Sequence, residues 1–377
     1  LKRVYFPNLD ALRFVACFVV MAQHCKLNWL LPKDSNVIAK RIMGLLTSGE
    51  TGVSLFFVLS GFLITYLLLE EKQWNGTISL KNFYMRRVLR IWPLYFAVLL
   101  FGFFIYPLLK SFTGMDTDIP NNLSWYLSFL GNFDLVHIYN AGATNVPMMI
   151  AITWSVAIEE QFYLVWPLLL LIVPARHNIF IFLAVIAGSL IFRSLYIDDD
   201  YALTFNTFAL VGDLAMGAMF AWGCIYSQGF RNFFEKLRRP VIIIIYITGF
   251  LFLLFGSSVL PHNVHAISYR LVNTAFFAFI IAEQNLSAHS VYKYSRFALV
   301  SGWGKYTYAL YLLHPIALQA VIIAFRFAGI ENDTFSHHLL YIASFAVLSA
   351  LMSYFSYHWF EKYFLRMKER FSPGTPQ

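Results

Sequence analysis

Charge is scarce in this chain: Asp, Glu, Lys and Arg make up 13% of its 377 residues, against 59% apolar residues. A soluble domain carries about a quarter charged residues, so this is no soluble enzyme, and little length remains for a soluble domain. Cysteine is almost absent. Cys17, Cys25 and Cys224 all lie in apolar segments, with no metal-ligand spacing and no disulfide framework. No metal is therefore expected. A cleavable signal is not expected either, because the first apolar run is too long and no small-residue cleavage site follows it. Nor is there an internal repeat, which removes the inverted-repeat signature of many transporters.

Long hydrophobic runs and aromatic residues fill the space left, with 39 Phe and 22 Tyr. Ten apolar stretches stand out, at 10–31, 52–70, 89–109, 152–174, 178–196, 205–226, 240–258, 265–283, 304–327 and 338–360. A bilayer crossing takes about 20 residues, so the chain is expected to be an all-α, polytopic membrane helix bundle of about ten transmembrane helices. The segments between them alternate in basic content, nineteen Lys and Arg on one side against seven on the other. Basic residues mark the cytoplasmic side, which places both termini inside. This asymmetry accounts for the net charge of +8 through membrane lipid, with no nucleic-acid partner. The longest outward connection, 110–152, is expected to be functional or partly folded. Its apolar segment Trp125–Phe133 is too short to span and reads as re-entrant or interfacial. Residues 1–370 are expected to form the membrane domain and 371–377 a disordered tail.

Ionisable residues inside such spans carry the functional signal. A charged side chain at membrane depth costs at least ~2.5–3.5 kcal/mol, so it is a functional candidate by default. In the first span Arg13 and His24 are eleven residues apart, about three helical turns, which puts them on one helix face about 16 Å apart. Asp10 lies one turn below Arg13 on nearly the same face. Ahead of the third span, Arg86, Arg87 and Arg90 read either as a positive-inside grip on lipid headgroups or as a phosphate site of fork-shaped donors. The fourth span opens with Ser155, Glu159 and Tyr163 every four residues, a polar ridge. Of its two adjacent glutamates, Glu159 is the one expected along the ridge, although the dipole at a helix start also favours carboxylates. The ninth begins with a tyrosine-rich run from Tyr306 to His314. By itself His314 reads as a satisfied core histidine, with Pro315 kinking the helix.

These pieces resemble the acyltransferase-3 family of integral membrane acyltransferases. The likeness rests on Leu9-Asp10-x-Leu12-Arg13 with His24, Gly52-Val53-x-Leu55-Phe56-Phe57-Val58-Leu59-Ser60-Gly61-Phe62, Arg87-x-x-Arg90-Ile91-x-Pro93-Leu94-Tyr95, Trp154-Ser155 to Tyr163, and the lead into His314. It covers nearly the whole chain, in order. Ala11 stands where the family usually has glycine, Cys25 where a second histidine is frequent, and Thr307 where serine is common. Glu361-Lys362-Tyr363-Phe364 lacks the proline often found there.

The resemblance implies an O-acetyltransferase of the bacterial plasma (inner) membrane. Such an enzyme moves an acyl group, commonly acetyl, from cytoplasmic acyl-CoA to a hydroxyl of a surface or secreted polysaccharide, a glycolipid or a related acceptor. It resembles the membrane module alone, without the extracytoplasmic esterase-like domain that some members carry. On this reading acetyl-CoA phosphates dock on Arg87 and Arg90, with Arg86 a weaker third, and the pantetheine arm passes Arg13 towards His24. His24 acts as general base or is transiently acylated. Glu159 orients His24 or lines the acceptor path, and hydroxyls of the polar ridges stabilise the oxyanion. An ion-coupled transporter would also bury Arg, His and Glu, but lacks a reason for the arginine cluster at a span entrance. A non-catalytic polysaccharide-export component would explain the aromatic outward loop but not the ionisable seam.

Overall fold

A computed structural model describes residues 6–112, 118–259, 261, 264–331 and 334–371. Among these residues every regular element is a helix, which fits a chain whose backbone polar groups must be satisfied within each segment in lipid. Ten of the helices have 17 residues or more: α1 (Pro7–His24), α2 (Gly49–Asn75), α3 (Leu80–Leu100), α4 (Trp154–Ile172), α5 (Asn178–Leu195), α6 (Thr207–Tyr226), α7 (Arg239–Val259), α8 (Arg270–Leu286), α9 (Thr307–Phe327) and α10 (Phe335–Phe355). They coincide in order with the ten apolar stretches. Eight helical segments of the described residues are long and apolar enough to cross a membrane. The other two helices, α1 and α8, carry Asp10 and Arg13, and Arg270, Asn273, Glu283 and Gln284. The polar residues make α1 less apolar, and α8 has only 17 residues. The chain is thus a multi-pass, all-α membrane protein.

Two details depart from the sequence reading. The first helix stops at His24 rather than running to residue 31: Lys26 takes a left-handed conformation, φ 54°, and a short 3-10 turn follows at Leu27–Leu30. The third helix begins at Leu80, so Arg86, Arg87 and Arg90 lie within it rather than in a preceding loop. The segment around Trp125, in the connection expected to be functional or partly folded, forms two short helices, Leu123–Leu127 and Gly131–Asn140. There Tyr95 donates to the Tyr126 carbonyl at 2.7 Å and stacks on Phe129 at 4.5 Å. Of the expected tail, residues 372–377 lie outside the described residues.

The chain divides into two compact units. One comprises residues 1–19, 50–80 and 161–305. In it, α2 and α6 approach backbone to backbone: a Cβ on Gly61 would lie 1.9 Å from the Leu214 carbonyl oxygen, and one on Gly217 2.0 Å from that of Val58. Small residues permit such contact between membrane helices, which gives the glycine of the Ser60-Gly61 motif a packing role. Buried Arg270 pairs with Asp213 at 2.6 Å and with Glu50 at 2.8 Å, while Ser54 donates to Asp213 at 2.9 Å. Lys72 caps the end of α4, donating to the carbonyls of Leu170, Leu171 and Val173. The other unit comprises residues 20–49, 81–160 and 306–377. Cys25, Leu318, Val321, Tyr341 and Phe345 form a core cluster there, with Met21 and Leu27 packed against it.

Candidate active site

His24 is the last residue of α1, where the chain leaves the helix through Lys26. A non-glycine residue at positive φ needs support from its surroundings. His338 on α10 supplies it, donating from Nε2 to the Lys26 carbonyl at 3.1 Å. The Lys26 ammonium lies 4.5 Å over the Trp29 ring, which in turn sits 5.2 Å from His338. The helix end that carries His24 is therefore braced by α9 and α10 through both packing and hydrogen bonds.

The half-buried His24 ring meets a second imidazole. His24 Nδ1 lies 2.7 Å from His314 Nε2, and the rings are 14° from parallel. His314 is fully buried on α9, with its Nδ1 3.0 Å from the Leu310 carbonyl oxygen one turn earlier. Tyr311 and Phe345 stand edge-on to the His314 ring, at 6.1 Å and 6.3 Å. On the same turn of α9, the Tyr311 hydroxyl shares a 2.6 Å bond with Ser155 of α4. His314 is indeed a satisfied core histidine, and one of the groups that satisfies it is His24.

The arginines of α3 lie among carboxylates and backbone. Arg86 donates to the Phe371 carbonyl at 2.7 Å. Arg87 sits 5.7 Å from the Phe83 ring centre and within Coulombic reach of Glu160. Arg90 is within Coulombic reach of Glu361, whose carboxylate accepts from Ser356 at 3.0 Å. Of the two glutamates on α4, Glu160 accepts from the indole N–H of Trp92 at 2.9 Å, and its other oxygen is buried with no hydrogen-bond partner among the described residues. Glu159 adjoins it and is within Coulombic reach of Tyr308, which donates to the Ile91 carbonyl at 2.6 Å. Tyr306 is 3.2 Å from His358.

Two further expected residues and one ridge position belong to the other unit. Asp10 and Arg13 form an ion pair of 2.8 Å, as their spacing of one turn requires. A side chain on Gly304 would collide with Asp10, its Cβ only 2.5 Å from that of Asp10. Tyr163 donates to Ser60 at 3.2 Å. The ridge of Ser155, Glu159 and Tyr163 thus ends in a different unit from the one in which it starts.

Sequence reasoning missed Tyr311, Glu160 and His338. Tyr311 belongs to the tyrosine-rich lead, and its four-residue spacing from Thr307 and Pro315 gave no sign that Ser155 was its partner. Glu160 faces Trp92 of the arginine helix, a pairing that no local periodicity encodes. His338 stands at an ordinary helical position, and its partner is a carbonyl exposed only because α1 stops early. No group of three His, Cys, Asp or Glu gathers as for a metal ion among the described residues.

A family model described as an acyltransferase domain matches residues 6–357. The peptidoglycan O-acetyltransferase OatA of Listeria monocytogenes is 34% identical over 176 residues, covering 45% of this chain and 25% of the relative. A provisionally named O-acetyltransferase of Staphylococcus aureus is 31% identical over 236 residues, 59% of this chain and 35% of the relative. A provisionally named peptidoglycan O-acetyltransferase of Bacillus subtilis, YrhL, is 29% identical over 171 residues, 45% and 24% respectively. The matched part of the chain spans about a quarter to a third of the length of these relatives. No solved structure matches the chain.

Proposed function

The chain belongs to the acyltransferase-domain family whose model it matches, and on that premise we propose that it is a membrane O-acetyltransferase with His24 at the reacting centre. The donor is a cytoplasmic acyl thioester, acetyl-CoA, and the acceptor is a hydroxyl of a surface glycan of the peptidoglycan type, the substrate named for two of the relatives. The observation that carries this reading is the imidazole pair: a half-buried histidine at the end of a membrane helix, held through Nδ1 by a fully buried second histidine.

The chemistry follows from what these groups do. The acceptor hydroxyl loses its proton to His24 as its oxygen attacks the thioester carbonyl carbon. The tetrahedral oxyanion that forms needs hydrogen-bond donors, and the Ser155–Tyr311 hydroxyl pair, whose tyrosine is on the same turn of α9 as His314, supplies them. Collapse breaks the carbon–sulfur bond, and the departing thiolate recovers the proton from His24, leaving free thiol and an O-acyl ester. General-base assistance of this type contributes about 10²–10⁴-fold. Arg90 and Arg87 bind the donor's phosphates, with Arg86 beside them, since guanidinium groups match phosphate oxygens in a fork. With basic residues inside, their end of α3 faces the cytoplasm.

The test is direct. Purified protein in lipid, given acetyl-CoA and a soluble glycan fragment, should release free thiol in step with acetylation of the fragment. A folded His24→Ala variant should lose both by about 10²-fold or more. Thiol release at the wild-type rate from that variant would remove His24 from the reaction.

A further inference from the structure

The contacts around His24 leave one arrangement of protons. A carbonyl oxygen can only accept a hydrogen bond, so the 3.0 Å contact between His314 Nδ1 and the Leu310 oxygen requires a proton on Nδ1. His314 is fully buried, where a charged ring is costly, and a neutral imidazole carries a single ring proton. Its Nε2 is then a bare acceptor. The 2.7 Å contact with His24 must therefore take its proton from His24 Nδ1, and in the neutral His24 ring Nε2 then keeps its lone pair.

From this chain of contacts we propose that His314 is a positioning residue, which fixes His24 in the tautomer that presents Nε2 as the reacting nitrogen. The proposal rests on His24 being the reacting residue and goes further by naming the reacting atom and the group that selects it. The selector is itself anchored. Helix α9 supplies both the imidazole and the carbonyl that sets its proton, and the edges of Tyr311 and Phe345 hold the ring plane. A partner that orients a functional imidazole through its second nitrogen acts on tautomer and direction together. Here that partner is a neutral acceptor rather than a carboxylate.

The proton balance is simple. When His24 Nε2 takes the hydroxyl proton, the imidazolium keeps Nδ1–H on His314 Nε2, and no proton passes to His314. The same proton returns from Nε2 to the thiolate. If His24 is instead acylated, Nε2 attacks the thioester carbon, the thiolate leaves, and the acceptor oxygen then displaces the imidazole. Both routes run through one nitrogen.

Nitrogen-15 spectra of histidine-labelled protein in lipid test the proposal without any turnover, with His24→Gln and His314→Gln variants assigning the resonances. The expected result is a protonated Nδ1 and a bare Nε2 on both rings. A proton on Nε2 of His24 in the wild type would overturn the proposal. Kinetics give the second arm. His314→Phe keeps a ring of similar size without an acceptor and should lower kcat by about 10²-fold or more, with KM for acetyl-CoA within about twofold. His314→Gln places an amide oxygen near the position of Nε2 and should recover at least about tenfold of that loss. Wild-type kcat in a folded His314→Phe protein would also overturn the proposal. If the Phe variant does not fold, the spectra still decide. The two readings fail separately: an active His24→Ala protein removes the parent reading, whereas a proton on His24 Nε2 removes only the role of His314.

Discussion

At the scale of residues, candidate groups were legible wherever a polar side chain interrupts an apolar run, and their partners were illegible wherever these are distant in sequence. His24 and Arg13 declare themselves because a membrane helix has no cheap place for them, and the Asp10–Arg13 pair follows from one-turn spacing. The His24–His314 bond joins positions 290 residues apart, which no periodicity reports. The same holds for Glu160 and Trp92, 68 residues apart. The arginines of α3 make the residue-scale prediction. If Arg90 binds the donor's phosphates, Arg90→Ala should raise KM for acetyl-CoA several-fold, with kcat little changed, and should weaken the salt dependence of KM, since screening acts on exposed charge pairs. With a short acyl thioester that lacks the nucleotide, the variant should match the wild type. Equal losses with both donors would assign Arg90 to the helix or to lipid.

At the scale of elements, the positions and order of the ten long helices were readable because each lies in an apolar run, eight of them within segments long and apolar enough to cross a bilayer. Their ends were less so. The stop of α1 at His24 depends on a left-handed Lys26, and neither glycine nor proline marks it; the carbonyl it frees is taken by His338. The start of α3 at Leu80 was hidden because arginines within a helix look like a loop by hydropathy alone. In the Ser60-Gly61 motif the physical reason became visible only with the crossing of α2 and α6. Gly61→Ala should force the two backbones apart, since its Cβ would fall 1.9 Å from the Leu214 oxygen. The expected loss is about 1–3 kcal/mol, the usual scale of overpacking, seen as a lower unfolding temperature in detergent. Gly188→Ala on α5, with open space around it, is the control. An unfolding temperature for Gly61→Ala equal to that of Gly188→Ala would contradict the close crossing.

At the scale of the whole molecule, an all-α multi-pass protein of the acyltransferase family was legible from composition and from motifs in sequence. The proposed direction of transfer rests on the distribution of basic residues, nineteen against seven. It requires donor and acceptor to be used from opposite sides of one membrane. The measurement that tests this most directly uses sealed vesicles of one orientation, with radiolabelled acetyl-CoA confined to the cytoplasmic side and a membrane-impermeant glycan fragment on the other. The account predicts labelled ester on the fragment across the membrane, free thiol on the donor side, and neither with His24→Ala. Label on the fragment only when donor and acceptor share a side would contradict it.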